Sequence, residues 1–276
     1  MHTDATFETA VQRMKGGDLA QAEILFRNAL ALRPAHAPSW LYLGAVCQRT
    51  GRLTDAEQAF RQGLVVEPAN ALLHHELACL LFFSGRREEA LASYRRVIQL
   101  DPNFVECQCN LGGALLEIGR GDEALCHCRR AVELDPRHLG ARVNLGNALH
   151  ACGLIDEALA SYRQALTISS DCFQAHNNIA AILHQRCNFD AAITHYMQAA
   201  RLKPEWPELY CNLGKVYRDL GRREESIACF RRSLEVQPRF AQGYSCLAEL
   251  AVGERRYDEA LNLFGQALAI DPSQPN

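Results

Sequence analysis

The chain has 276 residues, 48% apolar and 22% charged, a globular balance that excludes a disordered polypeptide. Its net charge of −3 supplies no electrostatic pull toward DNA or RNA, so no nucleic-acid partner is expected. The N-terminal MHTDATFETAVQRMKGGDLA lacks the apolar stretch of a secretion signal, and the most apolar window, ALLHHELACLLFF, is interrupted by His74, His75 and Glu76 and is too short to span a bilayer, so no membrane partner is expected.

A fixed period organises the rest. Prolines fall at Pro34, Pro68, Pro102, Pro136, Pro204, Pro238 and Pro272, every gap being 34 residues or twice that, with Ser170 at the skipped position. Gly44, Gly112, Gly146 and Gly214 share a second column with Ala10, Ala78, Ala180 and Ala248. A third is bulky: Phe26, Phe60, Tyr94, Cys128, Tyr162, Tyr196, Phe230 and Phe264. Each unit holds an apolar-periodic segment, a glycine such as Gly51 or Gly85, then a second segment opened by an acidic pair such as Glu88-Glu89 or Asp122-Glu123. Glycine supplies the left-handed turn after a helix, and the acids sit where the next helix dipole is positive. One such hairpin cannot bury both faces, so neighbours must stack into an α-solenoid.

Trp40, Leu43, Gly44, Ala56, Phe60 and Pro68 in the second unit make the pattern resemble the tetratricopeptide repeat, and the resemblance runs from about Thr3 to Pro272. It implies an all-α, right-handed superhelix of eight helix-turn-helix repeats in a single domain over 1–276. The repeats are expected at about 3–36, 37–70, 71–104, 105–138, 139–172, 173–206, 207–240 and 241–274. The first helix of each pair is then expected to line the concave side, where a protein or peptide ligand binds.

In chain order, the first unit is a partial polar cap, with Thr6, Thr9 and Arg13 where other units are mostly bulky and apolar. The fourth carries Cys107, Cys109, Cys126 and Cys128 on two adjacent helices, which invites a zinc hypothesis. Residues two apart on a helix diverge in direction, so buried structural thiols are expected instead, or a redox-sensitive one, and no metal. With twelve cysteines and no secretion signal, free thiols in a reducing cytoplasm are the expectation.

From the fourth unit to the seventh, asparagine recurs at Asn110, Asn144, Asn178 and Asn212, directly before a core Leu or Ile. Asparagine is a poor helix former. Its recurrence points to a ladder of amides facing the groove, each able to donate to a peptide carbonyl and accept from a peptide N–H. Asn147 and Asn177 lie beside the line, and Lys215 and Arg218 give its end a positive character. Duplication of the middle units and a solvated face remain the plainer readings. The column is similar to the asparagine ladder of O-linked N-acetylglucosamine transferase, which implies capture of extended protein segments. A carboxylate clamp built on Asn147 and Asn178 is disfavoured, because Val143, Glu208 and Asn212 stand where cations are needed.

His150 and His184 share a column without an evident acid partner. No phosphate loop, nucleophile elbow or metalloprotease motif is present, so neither enzymatic activity nor a cofactor is expected. The last unit should leave Phe264, Leu268 and Ile270 uncovered, an apolar surface suited to self-association or to a partner. Three functions therefore compete: a peptide-binding scaffold, the substrate-selecting arm of a larger enzyme such as a protein O-glycosyltransferase, and a self-assembling structural scaffold.

Overall fold

The computed structural model describes residues 2–272, and among them every regular element is an α-helix. The chain divides into two compact units, Met1–Cys152 and Gly153–Asn276. The first unit contains α1 (His2–Lys15), α2 (Leu19–Leu32), α3 (Ala37–Arg49), α4 (Leu53–Val66), α5 (Ala71–Phe83), α6 (Arg87–Leu100), α7 (Val105–Glu117), α8 (Gly121–Leu134) and α9 (Leu139–Ala151). The second contains α10 (Ile155–Ile168), α11 (Phe173–Gln185), α12 (Phe189–Leu202), α13 (Pro207–Asp219), α14 (Arg223–Val236), α15 (Ala241–Gly253) and α16 (Tyr257–Ile270).

Each hairpin turns on one residue in the left-handed region. Gly17, Gly51, Gly85, Gly119, Gly153 and Gly221 adopt φ between 72° and 85°, as the glycine spacing predicts. The same column continues through Cys187 and Arg255, both at φ 58°, so the turn is kept even where glycine is absent. The second helix then opens with an ion pair that residue-by-residue reading of the acidic pairs misses. Arg86 pairs with Glu89, Arg120 with Glu123, Arg222 with Glu225 and Arg256 with Glu259, each three residues on.

Packing follows the small and bulky columns. Phe26, Phe60 and Phe230 are fully buried, each contributing about 1.5–3 kcal/mol of burial. The Phe60 and Phe230 rings lie on the facing glycine: a methyl group on Gly44 would sit 2.3 Å from the Phe60 ring, and one on Gly214 would sit 2.4 Å from the Phe230 ring. Cys128 takes the ring position in the fourth hairpin, fully buried with its sulfur against Gly112, so close approach fills the space that a ring occupies in the other hairpins.

A further column fastens the start of the odd-numbered helices. Trp40, His74, Gln108, Arg142, His176, Tyr210 and Tyr244 each donate to the backbone carbonyl six residues earlier, at 2.9–3.2 Å. Six of those carbonyls belong to the proline column, Pro34 through Pro238, and the seventh to Ser170. Proline removes a donor but not an acceptor, so the carbonyl is free for this use. In the first unit α1, α3, α5, α7 and α9 touch one another in sequence, and in the second α11, α13 and α15 do the same. The asparagine column lies on these first helices.

Candidate peptide-binding site

In the first unit the asparagines meet over a concavity of about 360 Å³ formed by α5, α7 and α9. Asn110, Asn144 and Asn147 line it, with Phe82 and Phe83 on one side and Glu117 on another. Phe83 is 80% exposed, an unusual setting for a phenylalanine and one that leaves a ring available to a ligand. The amides are anchored as well as presented. Asn144 Nδ2 donates to the Cys109 carbonyl of the preceding first helix at 3.1 Å, and Asn110 Nδ2 reaches His75 Nε2, also on the preceding first helix, at 3.1 Å. Gly113 makes room for this, since a methyl group there would lie 3.1 Å from Asn144 Nδ2.

In the second unit the same offset of 35 residues links Asn212 Nδ2 to Asn177 Oδ1 at 3.4 Å, while Asn177 Nδ2 donates to Asn178 Oδ1 at 3.0 Å. Asn178 also hydrogen-bonds the Tyr162 side chain. Lys215 and Arg218 follow on α13, both partly exposed. Arg218 is engaged by Asp219 at 3.2 Å and by Glu249 at 2.7 Å, and although burial opposes its charge, those carboxylates raise its pKa. His184, one of the two column histidines, does have an acid partner: Nε2 lies 2.8 Å from Asp219 Oδ2, again 35 residues on. The sequence offered the signal, a repeat offset joining a histidine to an aspartate, but not the direction of either side chain.

The cysteines of the fourth hairpin face different neighbours. Cys107 Sγ donates to the Tyr94 carbonyl, Cys109 accepts from Asn144, Cys128 packs on Gly112, and Cys126 is exposed. Burial pushes Cys107 and Cys128 up to about 12 and Cys109 up to about 11, so all three stay protonated near neutral pH. Among the described residues no group of three or more His, Cys, Asp or Glu is placed to hold a metal ion. No helix among them is long and apolar enough to cross a membrane.

Two buried-side histidines stand 68 residues apart. His127 Nδ1 lies 2.9 Å from Gln108 Oε1, and His195 Nδ1 lies 2.9 Å from His176 Nδ1. Burial lowers the pKa of both, helped by Arg95 at His127 and by His176 and Arg163 at His195.

Tetratricopeptide repeat profiles match residues 9–171, 171–239 and 211–275, the first alone covering more than half of the chain. The chain belongs to the tetratricopeptide repeat family. Solved repeat proteins share its fold. A tetratricopeptide repeat protein from Parabacteroides merdae is 16% identical and superposes with a TM-score of 0.69 over 96% of this chain and 98% of that one. A structure reported for the functional characterisation of Pseudomonas aeruginosa pilF is 19% identical, with a TM-score of 0.67 over 77% of this chain and 97% of that one. YrrB, described as a tetratricopeptide repeat protein with an unusual peptide-binding site, is 19% identical, with a TM-score of 0.55 over 65% of this chain and 92% of its own. No curated protein matches the sequence significantly.

Proposed function

We propose that this tetratricopeptide repeat protein is an interaction scaffold that holds extended peptide segments along its first helices through the asparagine column. The observation that carries the reading is the convergence of Asn110, Asn144 and Asn147 on one concavity beside the exposed ring of Phe83. A side-chain amide has two N–H groups and two lone pairs. The inter-helix bonds of Asn110 and Asn144 run through Nδ2, so the amide oxygens are the groups a bound backbone N–H would use. In the second unit Asn177, Asn178 and Asn212, together with Lys215 and Arg218 on α13, are proposed to make contacts of the same kind. The peptide-binding description of YrrB agrees with this reading.

Each peptide hydrogen bond contributes about 0.5–1.5 kcal/mol, so four asparagines add roughly 2–6 kcal/mol before ordering costs. That suits weak, sequence-tolerant capture. The test is calorimetric titration of extended peptides against the native protein and a variant with Asn110, Asn144, Asn178 and Asn212 all changed to Ala. A loss of at least about thirtyfold in affinity is expected, with thermal melting used to show that the hairpins still stack. Equal affinity in a folded variant removes the asparagines from the account.

A second surface has its own observation. On α16, Tyr257 is 59% exposed, Leu261 70% and Leu268 37%, with Phe264 and Ile270 half-buried beside them. This face is proposed as a self-association surface, with Phe264, Leu268 and Ile270 at its centre.

A further inference from the structure

The concavity of the first unit also contains a nucleophile that backbone capture does not use. Cys79 lines it from α5, one turn after His75. Its sulfur is 3.7 Å from His75 Nε2, accepts from the Tyr94 hydroxyl at 3.3 Å and accepts from Asn110 Nδ2 at 3.6 Å. His75 is 8% exposed, packs against Phe104 with ring centroids 4.9 Å apart and the planes tilted by 35°, and has no hydrogen-bond partner on Nδ1, which faces Glu76 Oε1 at 3.6 Å. A base, a carboxylate behind it and two further donors therefore surround one partly exposed sulfur. None of the other thiols described above has such a setting: Cys107 donates to a carbonyl and Cys128 packs against a glycine.

We propose that Cys79 is a disulfide-exchange site that accepts a small neutral disulfide carrying an apolar or amide group. The Cys79 thiol gives its proton to His75 Nε2, and the Asn110 amide turns so that its oxygen accepts the new N–H. The thiolate, held by the Tyr94 hydroxyl, attacks one sulfur of the bound disulfide R–S–S–R. A Cys79–S–S–R bond forms as the S–S bond breaks, and the departing RS⁻ takes up the proton from His75 as RSH, so that atoms and electrons balance. Burial opposes charge on His75, but Cys79 and Glu76 outweigh it and raise its pKa to about 9, in keeping with a histidine that can hold the transferred proton. The walls select the R group. Phe82, Phe83 and Leu116 offer apolar contact, Asn144 and Asn147 offer amides, and Glu117 disfavours an acidic group. The proposal does not depend on peptide capture.

The test uses the fully reduced chain and dithiodipyridine, a neutral aromatic disulfide, added below stoichiometry at neutral pH. Acid quenching, digestion and mass spectrometry then give the label at each of the twelve thiols. Cys79 is expected to react about tenfold faster than Cys126 and Cys187, which are exposed but lack the cluster. Changing His75→Gln is expected to remove that advantage, and Tyr94→Phe, which keeps the ring in place, to lower it several-fold. Labelling of Cys79 no faster than Cys126 and Cys187 overturns the assignment. So does an unchanged Cys79 rate in the Tyr94→Phe protein, a milder change that guards against a misfolded histidine variant.

Discussion

Cys187 and Arg255 sit at φ 58° in a column where six other hairpins place glycine. A side chain in the left-handed region costs roughly 1–2 kcal/mol, because Cβ crowds the following carbonyl. Glycine relieves that clash but gives back up to about 1 kcal/mol through the freedom of its unfolded chain. The balance favours glycine, and both side chains are exposed, so little packing is lost. Cys187→Gly and Arg255→Gly are each expected to stabilise the protein by about 0.5–1 kcal/mol, read as a higher urea midpoint with an unchanged slope. A lower midpoint in both would mean that these side chains hold the turn by contacts stronger than the strain they carry. At this scale the sequence is legible as columns and opaque as directions. Asn110, Asn144, Asn178 and Asn212 announce themselves by spacing, yet only coordinates show that Asn144 reaches Cys109 and Asn212 reaches Asn177.

Within a helix pair, two glycines of the second hairpin do different jobs. Gly44 is helical and lies under the Phe60 ring, where a methyl group would meet ring carbons at 2.3 Å. Gly51 has φ 77° and nothing within 4 Å of where a methyl group would sit. Alanine is expected to destabilise at either site by about 1–2 kcal/mol, by overpacking at Gly44 and by backbone strain at Gly51. Asparagine separates the causes. It tolerates the left-handed turn, so Gly51→Asn should cost less than Gly51→Ala, whereas Gly44→Asn should cost more than Gly44→Ala. Chemical denaturation of the four variants checks the crossing order, and parallel losses at the two sites would sink the distinction. The fold was readable because packing and turn chemistry repeat with the same residue types in the same places. The carbonyl fastening was not readable, because Trp40, His74, Gln108, Arg142 and Tyr210 share a donor and no other property. The hydrogen bond of His184 with Asp219 escaped for a related reason: it joins two columns, and each column alone reads as surface.

At the scale of the whole chain, the two ends differ in chemistry. On α1 the positions that meet a preceding hairpin elsewhere hold Ala5, Thr9 and Gln12, all exposed; three repeats on, the same columns hold Cys107, Leu111 and Ala114, all buried. On α16 the corresponding outer face stays apolar. Phe264 is half-buried where its seven column mates are at most 3% exposed, and Leu261 and Leu268 are exposed beside it. The column that carries arginine at Arg27, Arg61, Arg95, Arg129, Arg163 and Arg231, and a methionine at Met197, holds Gly265 here, so the charge that edges six of the other second helices is missing. A methyl group on Gly265 would meet nothing within 4 Å, which leaves room for a partner helix to approach closely. An exposed apolar face can meet a second copy of itself, so two copies are expected to pair through α16 about a two-fold axis. Burying one large side chain contributes about 1.5–3 kcal/mol, and association costs several kcal/mol, so the pair should be a weak one with a dissociation constant on the order of micromolar. Light scattering across concentration should show the mass rising from one chain toward two. Leu261→Glu and Leu268→Glu place a carboxylate in the face and are each expected to hold the protein at the mass of one chain without lowering its melting temperature by more than about 2 °C. A mass that stays at one chain throughout, or a pair that survives both substitutions, would show that this face is not where copies meet.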